Sequence, residues 1–574
     1  MTSDPGADHS SGTIVDGPGR DERDRERLSV VESYADRVLE TGRDRWSGEE
    51  TPLLVDGVHV DTHEPVVWQY EGEEFLVSNL ASQQNLFRVL DGLSELTGDD
   101  RYGDAARDAV RYHFDHLVDE SGLLRWGGHQ FVDLGTLDPV GEFDADVHEF
   151  KCHFPYYDLL WDVDPDATRQ FLRAVWEAHV LDWSTLDMNR HGEYGRDAGG
   201  EEPPWDREFA DPDPFFVGEG LSFVNIGSDL VHAAGALHAL GDEPDAWEWG
   251  ERLAAMYVKA RHPETGLGAY QYTKPRRRDE PPEDGPLPTT SNYGDRAENQ
   301  FAGQFGDVAR EGWVLWGGKI PTIYVQNGLV QLRLAERLGA DGARLRRWTV
   351  DGLEALAEHG YAPAENEFRP MWADGTDLTG QTFDRSGYYG ESGTAWQPVP
   401  ADAEFLLVYA LAYRLTGRER VWETVRAIAR GLGIGELGAT PGDEPTVATD
   451  VTGGQDGDAN GDGTSDGGAA EIFALLELYR VTKRRGYLER GRNVADRIVE
   501  DRYHHGFFLP SADHVNAKFD AVEPLALLAL DAVLRGEPDA VPPYVGGSGY
   551  VHGRFDGHGR TRDTRVIWPK TREE

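Results

Sequence analysis

Cysteine is almost missing from this 574-residue sequence: Cys152 stands alone. An internal disulfide is therefore excluded. Long apolar runs are missing too, so no segment can span a bilayer and no membrane partner is expected. The start, Met1-Thr2-Ser3-Asp4-Pro5-Gly6, has neither the apolar core of a secretion signal nor a twin arginine, which makes the cytoplasm the expected compartment. Positive charge is scarce. Lys+Arg amount to 56 against Asp+Glu 104, a formal net charge of -48, and lysine is the rarer of the two cations. Nucleic acid is excluded as a partner, because the counterion-release contribution would have the wrong sign.

Such acidity fits either a disordered chain or a folded one adapted to high salt. The 16 Trp, 22 Tyr and 22 Phe weigh against disorder over most of the length. The expectation is a folded, halophilic protein whose surface carboxylates keep it solvated. A polyanionic ligand meets the same repulsion, but at about 1 M salt the screening length is roughly 3 Å. A local cluster of Arg and Lys then still captures carboxylates.

Residues 1–25 read as a disordered acidic tail, rich in Gly, Asp, Ser and Arg. Helical periodicity begins at Leu28, Val31, Tyr34, Val38 and Leu39. Between Pro52 and Phe75 short alternating runs predict small strands in a loop. A repeat follows: two amphipathic helices, a tight break between them, then a Gly-containing turn. The pairs occupy 79–114, 150–181, 228–261, 324–361, 401–432 and 469–503. Gly98 suits a helix C-terminus and Pro165 a first helical turn. One helix is left over at each end, 28–39 and 521–534, and pairing them makes a seventh unit. Isolated hairpins cannot bury both faces, so the expected fold class is all-α, an (α/α)7 toroid with short β-strands in its loops. An open solenoid is the alternative.

The toroid is expected over 26–540, followed by a C-terminal extension, 541–574, and interrupted by a disordered acidic insert, 438–468. Asp456, Asp458, Asn460 and Asp462 imitate a calcium loop, but Gly467 stands where its closing glutamate belongs, so the stretch reads as a solvated insert. Residues 275–290 read as a second exposed loop. The expected assembly is a monomer.

In such a toroid the loops gather at one end, and that end carries the site. Three segments supply its chemistry: Arg125-Trp126-Gly127-Gly128-His129, His148-Glu149-Phe150-Lys151-Cys152-His153, and Asn189-Arg190-His191-Gly192. His129 and His191 follow hairpins and Glu149 opens one, so all three can share a rim. Two imidazoles and a carboxylate suit a first-row divalent ion such as manganese, cobalt, nickel or zinc. Each residue alone reads equally as an ordinary hydrogen-bonded side chain, with His148 and His153 as rival ligands. Cys152 reads as a small buried hydrophobe rather than a thiolate ligand.

In their order along the chain these segments, with Gly294-Asp295-Arg296-Ala297-Glu298-Asn299-Gln300-Phe301 and the run from His514 to Leu525, resemble polysaccharide lyase family 2, the (α/α)7 pectate lyases. The likeness spans roughly residues 28–535. It implies β-elimination on galacturonan, an acidic polysaccharide. His129, Glu149 and His191 would hold the metal, manganese foremost, and Arg190 would be the base. A guanidinium keeps its proton to above about pH 12. Either a neighbouring cation and burial lower that, giving an alkaline optimum, or Arg190 orients the substrate while a hydroxide on the ion takes the proton. Arg296 is the candidate clamp for a substrate carboxylate, or else a surface partner of Glu298. Lys274 and Lys319 would add positive charge to the cleft. Trp126, Tyr293, Trp313, Trp316, Tyr388, Tyr389 and Trp396 suit sugar stacking, although most read as core.

Three rivals remain: a hydrolase on the same architecture, a sugar epimerase on an (α/α)6 ring, and a non-catalytic helical scaffold that binds neither metal nor acidic sugar. A glycoside hydrolase on unsaturated uronides would need a carboxylic general acid, with Asp99, Asp146 and Glu391 among many candidates, and no metal. A sugar epimerase would rely on paired histidines and cleave nothing.

Overall fold

The computed structural model describes residues 19–572 except 71, 143–145, 197–202, 217, 219, 274–294, 449–467, 548 and 555–559. Helical hairpins dominate it. They are α2 (Gln84–Thr97) with α3 (Arg101–His116), α4 (Tyr157–Val163) with α5 (Pro165–His179), α6 (Val224–Gly241) with α7 (Pro244–Lys259), α9 (Asn327–Arg337) with α10 (Ala343–Gly360), α11 (Ala403–Thr416) with α12 (Glu419–Gly431), and α13 (Ala469–Thr482) with α14 (Gly486–Arg502). α15 (Glu523–Arg535) packs on α1 (Glu22–Gly42), the seventh unit. The fold is an (α/α)7 toroid.

α6, α9, α11, α13, α15 and α2 pack on one another in succession as the inner ring, and their sequences show why. α11 is apolar on every side, and Phe405 through Ala412 are all buried. α12 is apolar on one face only, with Val421, Trp422, Val425, Ile428 and Ala429 turned inward. Each large apolar side chain buried in this way contributes about 1.5–3 kcal/mol. α15 closes the ring by packing between α13 and α2. Breaks between helices follow local chemistry. Gly98 adopts the left-handed region (φ 73°) at the end of α2. Asp164 caps α5 by accepting the N–H groups of Asp166 and Ala167, with Pro165 in the first turn.

Two boundaries and one helix differ from expectation. Residues Glu22–Arg25, read as tail, begin α1, because Asp21 and Asp24 form a reciprocal capping box. Residues 1–18 lie outside the described residues. The start of the 438–468 insert is folded: Gly435–Glu436 pairs antiparallel with Thr446–Val447. The calcium-like run lies outside the described residues, as do residues 275–290. A helix that periodicity did not reveal, α8 (Arg296–Phe305), carries Phe301 into a second aromatic core with Trp372, Phe383, Tyr389 and Trp396.

Short strands tie the loops together. Gly57–His59 pairs antiparallel with Asn516–Lys518, joining the two ends of the ring. A four-stranded sheet runs in the order Val67–Tyr70, Glu73–Ser78, Gln130–Asp133 and Pro139–Gly141. Among the described residues no helix is long and apolar enough to cross a membrane.

Candidate active site

β-pairing, not helix packing, brings the three sequence segments together. Val147–Glu149 runs antiparallel to His191–Glu193 with Glu149 directly opposite His191, so both side chains leave the same face. Gly127 bridges Glu149 in parallel, and the Gly128 N–H donates to the Glu149 carbonyl at 3.2 Å. This approach requires the two glycines. Gly127 has φ +122°, and a Cβ on it would lie 2.5 Å from the Glu149 carbonyl oxygen. A Cβ on Gly128 would lie 2.3 Å from Glu149 Oε2. His129 is thereby set beside the carboxylate.

The geometry is tight. Glu149 Oε2 is 3.3 Å from His129 Nε2, and both side chains are fully buried. Glu149 Oε1 is 3.9 Å from His191 Nε2 and 3.5 Å from Arg190 Nη1. One ligand atom from each of His129, Glu149 and His191 lies within 4.8 Å of the others. Burial pushes the Glu149 carboxyl up, but His129, Arg190, Lys151 and His191 overcome it and hold it well below the usual carboxylate range. Burial, then Arg190, pushes His191 down to about 3, so its imidazole is neutral at ordinary pH. One anionic and two imidazole donors, converging and buried except for a partly exposed His191, fit a divalent transition metal.

Two contributors went unforeseen. The hairpin register pairs Gln130 with Gly141, and the next rung sets Glu142 against His129, whose Nδ1 lies 2.9 Å from Glu142 Oε2. The other is His552, from the extension expected to lie beyond the toroid. Its N–H donates to the Gly128 carbonyl at 2.7 Å, and its ring centroid is 5.1 Å from that of His129. His129, Glu142 and His552 form a second close donor group. The turn residues Gly135, Thr136 and Asp138 mark the hairpin that places Glu142, whereas nothing in the sequence points to His552.

A buried relay supports the loop bearing Arg190. Trp126 Nε1–H donates to His148 Nε2 at 3.1 Å. His148 Nδ1 is thus left to donate to His179 Nε2 at 2.8 Å, and His179 Nδ1 to the Asn189 carbonyl at 2.8 Å. His148, a rival ligand on sequence grounds, is committed here. Its neighbour along the chain, the 152–154 segment, is pinned by Asp229, which accepts the N–H groups of Cys152 (2.8 Å) and Phe154 (3.0 Å). Cys152 is buried, and burial and then Asp229 push its thiol up. Burial lowers His179 to about 4, against the opposing pull of the Asn189 carbonyl. Between pH 6.5 and 4 the unfolded chain therefore binds a proton at this position that the folded chain does not, and stability is lost as pH falls. His179→Gln is expected to be less stable than wild type at pH 7. The gap should narrow by about 2 kcal/mol on going to pH 5. Urea unfolding at both values checks this.

Other expected residues have different surroundings. Arg296 is buried, and its guanidinium is held by Glu311, with Nε donating at 2.7 Å, rather than by Glu298. The guanidinium also lies 3.7 Å from the Tyr388 ring centroid and 5.2 Å from that of Phe223, the ring that Arg190 approaches at 5.8 Å. Lys319 is buried and donates to the Glu311 carbonyl at 2.9 Å and to the Tyr389 hydroxyl at 3.0 Å. Lys274 and Tyr293 lie outside the described residues. Trp126, Tyr389 and Trp396 are core; Tyr388 is 37% exposed. Asp99 pairs with Arg101 on the surface, and exposed Glu391 accepts from Ser386.

Fold and comparison together define the class: a polysaccharide lyase built on an α/α toroid. The chain belongs to the family described as periplasmic pectate lyase, whose model matches residues 51–554. It is 33% identical to a pectate disaccharide-lyase of Dickeya dadantii over 565 residues, covering 95% of this chain and 96% of that protein. Among solved structures, a D-mannose isomerase is 12% identical with a TM-score of 0.42, covering 81% of this chain and 100% of its own. A cellobiose 2-epimerase from Bacillus thermoamylovorans is 10% identical with a TM-score of 0.38, covering 79% and 100%. The word periplasmic belongs to the family description; the cytoplasmic expectation rests on the sequence alone.

Proposed function

We propose that this chain cleaves polygalacturonate or oligogalacturonate by metal-assisted β-elimination, with Arg190 as the base. The observation that carries the proposal is the shared carboxylate: Glu149 faces His129 through Oε2 and both His191 and Arg190 through Oε1, within 3.3–3.9 Å. The pectate disaccharide-lyase relative supports the same substrate class.

His129, Glu149 and His191 would hold the cation, manganese foremost, with cobalt, nickel or zinc as further candidates for this donor set. When bound, the ion supplies positive charge to the uronate carboxylate and to the negative charge that builds on it. Arg190, in its neutral guanidine form, takes the proton from C5, which is α to that carboxylate, and becomes the guanidinium. The freed electron pair forms the C4–C5 double bond as the C4–O bond breaks, and the glycosidic oxygen leaves with a proton from solvent. Glu149 keeps the Arg190 guanidinium at the mouth of the cation seat. Phe223 supplies an apolar wall beneath it.

Purified protein incubated with polygalacturonate is expected to generate the absorbance of an unsaturated uronide. Chelator should abolish that absorbance and added manganese restore it. Saturated products formed in chelator would instead indicate a hydrolase, and an isomerised sugar without chain cleavage an epimerase.

A further inference from the structure

The His129 imidazole has two nitrogens, and the cation reading uses one. Nε2 faces Glu149, while Nδ1 faces Glu142 Oε2 at 2.9 Å. Glu142 reaches this place by register, since its own N–H donates to the His129 carbonyl at 3.1 Å as the next rung of the hairpin. The Glu142 side chain is 7% exposed and that of His129 is 0% exposed, so water competes little for this contact. On either side, the His191 and His552 rings lie with centroids 5.1 Å from that of His129, which restricts tilting of the imidazole.

We propose that Glu142 is the positioning residue for His129: its carboxylate accepts the Nδ1 proton, fixes the tautomer, and presents the Nε2 lone pair to the cation. A carboxylate there also makes the imidazole a stronger donor toward the ion. This rests on the reading of His129, Glu149 and His191 as the cation seat. Glu142 touches neither substrate nor ion; it acts through His129.

Two substitutions of similar size separate acceptance of the proton from simple space filling. Glu142→Gln keeps an oxygen able to accept from Nδ1, and Glu142→Met does not. Manganese affinity is measured by isothermal titration on the full chain, with His191→Ala as the control for the seat itself. Glu142→Met is expected to bind manganese about 10–100-fold more weakly than wild type. Glu142→Gln should recover most of that loss. Equal affinities in the two variants, whether both match wild type or both are weak, overturn the assignment. If Glu142→Met does not fold, Glu142→Ala takes its place; if neither folds while Glu142→Gln does not differ from wild type in affinity or unfolding midpoint, the residue serves folding and the assignment is overturned. A wild-type chain that binds no manganese, or a His191→Ala chain that binds it as wild type does, removes the cation seat instead.

Discussion

Arg190→Lys is expected to lose about 10²–10⁴-fold in turnover while its manganese content stays at the wild-type level. The two outcomes separate because Arg190 is not itself one of the proposed ligands. Its Nη1 stands 3.5 Å from Oε1, which also faces His191 at 3.9 Å, whereas His129 approaches Oε2 at 3.3 Å. Lysine keeps the positive charge, so the buried carboxylate retains a cationic neighbour and the donor set is unchanged. What is lost is the planar fork and its reach over Phe223. Steady-state rates, with metal content from elemental analysis, test both. Wild-type turnover in Arg190→Lys would remove this residue from the chemistry.

Glu149→Gln is expected to lose manganese, activity and stability together. The side chain is 0% exposed and has His129, His191 and Arg190 as neighbours, with Lys151 adding positive potential. An amide of the same shape removes the one anionic donor. It also leaves a guanidinium in a largely dry setting without its counter-charge, and breaking a buried pair in that way costs about 3–5 kcal/mol. Ion affinity should fall by more than the about 10–100-fold that follows from losing an outer partner such as Glu142. The measurements are a melting curve with and without manganese and the metal content of the purified variant. A melting temperature raised by manganese as much as in wild type would show that the ion sits elsewhere.

The toroid was legible because its helices are long and periodic. Six breaks between paired helices could be read from local turn residues such as Gly, Pro and Asp, and the leftover helix at each end from its apolar residues, and α15 does pack on α1. The site was less legible, because strands of three or four residues bring it together. Gln130–Asp133 is buried on both faces and shows no alternation, so only the turn residues after it, Gly135, Thr136 and Asp138, mark it as a strand. Without that strand Glu142 cannot be seen opposite His129. The Arg296–Glu298 pairing failed for a geometric reason. Residues two apart on a helix point in different directions, and Arg296 turned instead to Glu311 from the following loop. His129, Glu149, His191 and Arg190 were picked out together through the order of three loop segments and their family likeness, not through spacing. α8 was hidden because its apolar face serves a local aromatic core rather than the ring.

Closure of the ring by its last helix has a consequence for biosynthesis. α15 meets α1 across more than four-fifths of the chain and α2 across about three-quarters of it, and His552 reaches Gly128 from later still. A nascent polypeptide emerging from the ribosome can stack its hairpins one by one. Until α15 has been made, though, the flanks of α2 and α13 that it covers stay open. The growing arc therefore presents apolar edges to chaperones and to other nascent chains throughout the synthesis of its hairpins.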